Sequence, residues 1–127
     1  MRVDAHPARR PGAKILIVDD DPTFRSSARI LLAVRGYEVV GEAGSGDEGL
    51  ALASVCRPDA VLLDVNLPDG DGVAVAARLT AAGGPQVLLT SSDPTAVPAH
   101  LMRSSGAVGF VAKEDLADTA LDAYLTG

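Results

Sequence analysis

The stretch Ala60-Val61-Leu62-Leu63-Asp64-Val65-Asn66-Leu67-Pro68-Asp69-Gly70-Asp71-Gly72 decides how this chain folds. Its first half is an unbroken apolar run and suits a strand buried on both faces. The run closes on a carboxylate, and a turn-rich segment follows. A plain turn accounts for Pro68 to Gly72 but not for an acid ending such an apolar run. An EF-hand calcium loop starting at Asp64 fails, because Pro68 would take the fifth position and Val75 the place of the bidentate Glu.

Three more apolar runs stop at polar residues: 15–18 before Asp19 and Asp20, 87–89 before Thr90, and 108–112 before Lys113. Five β-type runs (14–18, 37–41, 60–63, 86–89 and 108–112) alternate with segments that tolerate helix, the pattern of a parallel sheet covered on both faces. The expected fold class is therefore α/β, a doubly wound five-stranded parallel sheet. Strands of one such sheet share a carboxyl edge, where these folds bind ligands. Three carboxylates, a hydroxyl and an ammonium then meet in one crevice.

Residues 22–35 place Phe24, Ala28, Leu31 and Leu32 on one helical stripe, and Leu116, Ala120, Ala123 and Tyr124 repeat that spacing in an expected last helix. Helices are also expected near 47–56, capped by Asp47, and over 73–82, stopped by Gly83-Gly84-Pro85. Pro98 would cost roughly 3 kcal/mol inside a helix, so the helix within 95–104 is expected to start near Pro98. A helix that short is easily moved.

With 127 residues and 47% apolar content, the chain has the length and composition of one domain that folds alone. Its aromatics are Phe24, Tyr37, Phe110 and Tyr124, so Leu, Val, Ile and Ala must build the core. Residues 1–13 carry a surplus of two positive charges in a chain of net charge −6, which leaves −8 on the remainder. An acidic body argues against nucleic-acid binding, and the Pro- and Gly-containing first 13 residues read as a disordered tail. No stretch approaches the roughly twenty apolar residues of a membrane span, and no signal peptide is evident, so a cytoplasmic location is expected. Cys56 has no disulfide partner and no zinc cluster around it; a small buried hydrophobe is expected there. His6 and His100 are expected to be exposed. After Lys113 one helix is expected, with no appended output domain.

Asp21, preceding Pro22, suits a helix cap. Asp19 and Asp20 are left over. Two like charges about 4 Å apart repel by roughly 4 kcal/mol at an effective dielectric of 20, so crowding them beside Asp64 implies a neutralising cation. Oxygen ligands point to Mg2+. Gly44-Ser45-Gly46-Asp47-Glu48-Gly49 formally fits GxGxxG, but Asp47 and Glu48 would face a pyrophosphate, and a capped turn is the better reading. Thr90 and Lys113 gain meaning jointly with Asp19, Asp20 and Asp64: a nucleophilic carboxylate, a metal and two donors for phosphoryl oxygens.

These residues resemble the receiver domain of bacterial two-component response regulators, of the chemotaxis-regulator-like, stand-alone type. The marks are Asp19 and Asp20 after the first strand, Asp64 with Pro68, Asp71 and Gly72 in a D-x-x-x-P-x-x-D-G string, Thr90 after the fourth strand, and Lys113 after the fifth; the match spans residues 14–127. The resemblance implies a flavodoxin-like strand order 2-1-3-4-5. It implies that Asp64 accepts a phosphoryl group from a phosphohistidine on a sensor histidine kinase or phosphotransfer protein. Asp20, Asp64 and the backbone carbonyl of Asn66 would bind Mg2+, with Asp19 acting mostly through water. Thr90 would bond the new phosphoryl group, Lys113 would offset its charge, and Phe110 would be the aromatic switch. The readout would be a surface of the fourth helix, fifth strand and fifth helix, meeting an unknown downstream protein.

The resemblance further implies a phosphoacceptor that acts only on its own phosphorylation state, as a monomer or weak homodimer, with no direct nucleic-acid or membrane contact. Glu114 stands where many receivers have a cis-linked Pro, Phe110 replaces the more frequent Tyr, and Asn66 and Ser92 occupy positions that tune hydrolysis. Two alternatives compete: a degenerate receiver acting as a non-phosphorylated interaction module, and a haloacid-dehalogenase-type phosphatase. For the latter, Asp19-Asp20-Asp21-Pro22-Thr23 fits D-x-D-x-T, with Asp19 as nucleophile.

Overall fold

The computed structural model describes residues 12–81 and 83–125. Five parallel strands form the sheet: β1 (Lys14–Val18), β2 (Glu38–Ala43), β3 (Ala60–Asp64), β4 (Gln86–Ser91) and β5 (Gly109–Ala112). Their spatial order is 2-1-3-4-5, as expected. Alternation along the strands builds two cores. Ile15, Ile17, Leu62, Leu88 and Val111 face one side, and Leu16, Val18, Val61, Leu63, Val87 and Leu89 the other. Central strands buried on both faces must be apolar throughout, which explains their near-continuous hydrophobic runs.

Helices α1 (Pro22–Val34), α2 (Gly46–Cys56), α3 (Gly72–Thr80) and α4 (Ala99–Ser105) connect the strands. Helix α1 covers the first core through Ala28 and Leu32, while α3 covers the second through Val73, Ala76 and Leu79, joined by α2 and α4 residues at its margin. Asp21 caps α1 by accepting from Thr23 N, and Pro22 opens that helix. Helix α2 differs from expectation: its cap is Ser45, whose Oγ accepts from Glu48 N, and Asp47 lies inside the first turn. Pro98 is the N-cap of α4, one residue before the helix, and supplies no side-chain bond.

The expected last α-helix is not formed. Lys113–Asp118 and Leu121–Ala123 are two 3-10 turns, with Thr119 extended between them. The Arg35 guanidinium donates to the carbonyls of Ala117 and Thr119, the acceptors that an α-helix would offer to residues 121 and 123. The buried residues are accordingly Leu116, Leu121 and Leu125, whereas Ala120 and Ala123 are exposed. Tyr37 Oη also donates to Asp122 at 2.6 Å, fixing the second turn. The stripe of Leu116, Ala120, Ala123 and Tyr124 was thus a helical spacing without a helix.

Other departures are smaller. A two-residue hairpin, Asn66–Leu67 against Gly70–Asp71, occupies the turn after β3. The tail expected over 1–13 lies mostly outside the described residues, but Gly12 and Ala13 belong to the folded body: Ala13 is buried and its carbonyl accepts from Glu38 N at 2.8 Å. Cys56 is half-buried, with Sγ 3.8 Å from the Val40 carbonyl, where full burial was expected. His100 is exposed, and His6 lies outside the described residues. No cis peptide occurs among the described residues, so Lys113–Glu114 is trans. No helix among them is long and apolar enough to cross a membrane.

Helix α3 is pressed onto the end of β3. A Cβ at Gly72 would overlap the Asp64 carbonyl oxygen and lie 2.7 Å from Val65 Cα, backbone atoms that cannot swing aside. Gly72→Ala is therefore expected to lower the unfolding free energy by about 1–3 kcal/mol, the range for forced overpacking, as measured by urea titration.

Candidate functional site

The carboxyl edge of the sheet gathers the residues that the sequence singled out. Asp19 follows β1 by one residue and is held in place by its amide, which donates to the Ala43 carbonyl at 2.9 Å. Asp64 ends β3 in register with Thr90 on β4. Lys113 follows β5 directly. Carboxylate oxygens of Asp19, Asp20 and Asp64 all lie within 4.8 Å of one another. Asp19 and Asp64 are buried, and Asp20 is exposed at the mouth.

Each acid has a distinct set of partners. Asp19 Oδ1 accepts from Asp21 N at 2.9 Å, and Asp64 Oδ1 accepts from Asn66 N at 3.1 Å. Asp21 and Asp71 are spent on helix caps. Asp20 makes no hydrogen bond or ion pair with any described residue. Lys113 Nζ stands 2.8 Å from Asp19 Oδ2, in a direction poor for a hydrogen bond, and 3.5 Å from Asp64 Oδ2. The ammonium also lies over the Phe24 ring, 4.5 Å from its centroid.

Burial pushes the Asp64 carboxyl above its ordinary pKa; the Asn66 amide pulls it down, Asp19 pushes it up again and Lys113 opposes, with a net rise. Burial works against the Lys113 ammonium, but contact with Asp19 and the charges of Asp19 and Asp64 outweigh it, so its pKa is raised. Three carboxylates facing one ammonium leave two negative charges uncompensated. A divalent cation matches that deficit, and an all-oxygen donor set with one open carboxylate suits Mg2+, which keeps several waters. Thr90 Oγ1 is fully buried with no hydrogen-bond partner among the described residues, so its hydroxyl is available to a group bound in the crevice.

Several contributors carried no sequence signal. Arg25 Nη1 donates to the Asp19 carbonyl at 2.6 Å while its Nε pairs with Glu42 at 3.2 Å, so α1 and β2 together hold the acidic loop. Phe24 belongs by spacing to the core stripe of α1, yet its ring also lies beneath the Lys113 ammonium. Buried Ser91 accepts from Asp93 N at 3.0 Å and from Asn66 Nδ2 at 3.4 Å. At the GxGxxG segment, the amides of Gly46 and Asp47 are taken by the Asp69 carboxylate, which leaves no room for a pyrophosphate.

A raised carboxyl pKa means that the folded state holds the Asp64 proton more tightly than the unfolded chain. Its stabilising share is complete below the unfolded pKa and lost as pH rises through the folded one. Asp64→Asn removes that loss and part of the repulsion from Asp19, so it is expected to stabilise the fold near neutral pH by about 1–3 kcal/mol. The gain should shrink as pH falls and vanish below about 3, where the wild-type carboxyl is protonated in both states; chemical denaturation across pH measures it.

Residues 15–124 match the response regulator receiver domain family. The chain is 41% identical over 103 residues to the virulence factors putative positive transcription regulator BvgA of Bordetella pertussis, covering 80% of this chain and 49% of that protein. It is 34% identical over 101 residues to the transcriptional regulatory protein PdtaR of Mycobacterium tuberculosis, covering 79% and 49%. The chain thus spans about half the length of these curated relatives. Among solved structures, the signal receiver domain of the putative response regulator NarL from Mycobacterium tuberculosis superposes with a TM-score of 0.80 at 31% identity, covering 90% of this chain and 94% of that one. An acidic crevice at the carboxyl edge of a 2-1-3-4-5 sheet, faced by a threonine and a lysine, thereby finds its place: this chain belongs to the response regulator receiver domain family.

Proposed function

We propose that Asp64 is the phosphoacceptor, taking a phosphoryl group from the phosphohistidine of a sensor histidine kinase or phosphotransfer protein. An Asp64 carboxylate oxygen forms the new bond to phosphorus as the phosphorus–nitrogen bond breaks, and the donor imidazole departs with the electron pair. The observation that carries this role is the position of Asp64, a carboxylate at the end of the central strand between an ammonium and a buried, unpartnered hydroxyl. The family match over residues 15–124 removes support for the phosphatase alternative with Asp19 as nucleophile.

Asp19, Asp20, Asp64 and the Asn66 carbonyl are the proposed holders of Mg2+. Bound there, the ion would neutralise the carboxylates and draw charge from the phosphoryl oxygens. Lys113 and Thr90 are proposed to receive the aspartyl phosphate, the first by its charge and the second by its hydroxyl. Hydrogen bonds to charged groups are worth about 1.5–3 kcal/mol each, so the pair supplies roughly 3–6 kcal/mol. Turning a two-state switch from 1:99 to 99:1 takes about 5.5 kcal/mol. Two contacts meet that figure only at the top of their range.

The proposed switch surface is α4, β5 and the 3-10 turns that stand in place of a fifth α-helix. Phe110 is half-buried at the margin of the second core and lines a shallow cleft with Pro94, Val111 and Asp115. Signalling through protein contacts, rather than turnover of a free substrate, is the activity this arrangement suits.

Incubation with Mg2+ and acetyl phosphate is expected to add one phosphoryl group to the wild type by intact mass and none to Asp64→Asn. Equal labelling of the two would remove Asp64 from its role. Thr90→Val deletes a buried hydroxyl that lacks a partner, so it should stabilise the resting domain by about 1 kcal/mol. The same variant should lose the amide shifts in α4 and β5 that beryllofluoride produces in the wild type, as followed by NMR.

A further inference from the structure

The hairpin after β3 carries Asn66, and its tip is fastened to a different part of the molecule. Asp69 Oδ1 accepts from Gly46 N at 2.8 Å and Oδ2 from Asp47 N at 2.9 Å, so both oxygens are spent on the first turn of α2. These two amides hold the Asp69 carboxyl below the usual carboxylate range although the residue is exposed. Helix α2 already has a local cap in Ser45, reinforced by Glu48 Oε1, which accepts from Gly44 N at 2.7 Å. A second acid arriving from 23 residues away is more than the helix needs.

The seat is shaped for this contact. A Cβ on Gly46 would lie 3.0 Å from Val75 Cγ2, 3.3 Å from Asp69 Oδ1 and 3.5 Å from Leu67 Cδ1, space that the hairpin and α3 fill instead. The base of the hairpin is tied separately, by Gly72 N donating to the Val65 carbonyl at 2.8 Å and by Asp71 capping α3. Between base and tip, Asn66 pairs with Asp71 and Leu67 with Gly70. The backbone of Asn66 therefore runs between two clamps, one on α3 and one on α2.

We propose that Asp69 is a positioning residue for the magnesium site: by stapling the hairpin tip to α2 it fixes the Asn66 backbone that completes the Asp19, Asp20 and Asp64 donor set. This rests on the assignment of Mg2+ to that set. Removing the staple leaves the three carboxylates in place but frees the hairpin, so metal binding must then order it. Because coupling is reciprocal, metal binding in turn tightens the start of α2.

Calorimetric titration of the full chain with Mg2+ tests the staple, using wild type, Asp69→Ala, Asp69→Asn and Ser45→Ala. Partners of metal ligands typically contribute tenfold or more to affinity, so Asp69→Ala should weaken Mg2+ binding by about tenfold. Asp69→Asn keeps one acceptor oxygen and turns an NH2 group toward the other amide, so its affinity should fall between those of the wild type and Asp69→Ala. Ser45→Ala removes the local cap of α2 and should bind Mg2+ as the wild type does, although it is less stable. Amide hydrogen exchange at Leu67 and Gly70 should quicken in Asp69→Ala and not in Ser45→Ala. Unchanged affinity in Asp69→Ala overturns the proposal, as does equal weakening in Ser45→Ala, which would assign the effect to helix stability. Failure of the wild type itself to bind Mg2+ would overturn the site assignment together with this inference, whereas wild-type binding that Asp69→Ala leaves unaltered overturns the inference alone.

Discussion

The Lys113 ammonium lies 2.8 Å from Asp19 and 3.5 Å from Asp64, and it cancels only part of the charge that the sheet brings together there. Asp19 is 1% exposed and Asp64 4%, so neither can rely on water to spread its charge. Crowding of this kind lowers stability and is sustained by rigid surroundings. Those surroundings are β1, β3 and β4, whose apolar residues are almost all fully buried and whose parallel pairing fixes where each terminal side chain emerges. The doubly wound sheet is thus the device that holds like charges together.

The same edge reaches the surface through short steps. Thr90 pairs with Asp64 across the β3–β4 ladder, and β4 pairs with β5, which carries Phe110. Helix α4 lies above this path and is unevenly fastened. Its carboxyl end meets α3, where Thr80 Oγ1 lies 3.1 Å from the Ser105 carbonyl and shares its proton with the Ala76 carbonyl at 2.9 Å, whereas its amino end begins at Pro98 with no side-chain cap. A helix held at one end has few interactions to break when the other end shifts.

Much of this was legible in the sequence because it rests on strong local rules. Apolar runs that end on Asp19, Asp64, Thr90 and Lys113 gave the strands, and parallel pairing alone brings such ends to one edge. Expected strand bounds differ from those observed by two residues at most, since the ladder extends into polar positions such as Glu42 and Ser91 that no hydrophobic pattern marks. The last helix was misread for a tertiary reason: Arg35, remote in sequence, takes carbonyls that the helix would need, and Leu121 and Leu125 replace the helical stripe in the core. Asp47 was misread as a cap because Ser45 and Asp69 share that task, and the second of these arrives from another loop. Phe24 beneath Lys113 and Arg25 on the Asp19 carbonyl were invisible for the same reason, as their positions follow from the docking of α1 and not from spacing.

The central claim, that the crevice carries more negative charge than its lysine cancels and is suited to a divalent cation, is tested most directly at the Asp64 carboxyl carbon. Its 13C resonance can be followed through a pH titration with and without Mg2+. A midpoint above the ordinary aspartate range without metal, falling when Mg2+ is added, is the expected result. A midpoint at or below that range without metal, or one that saturating Mg2+ leaves unmoved, would contradict the account.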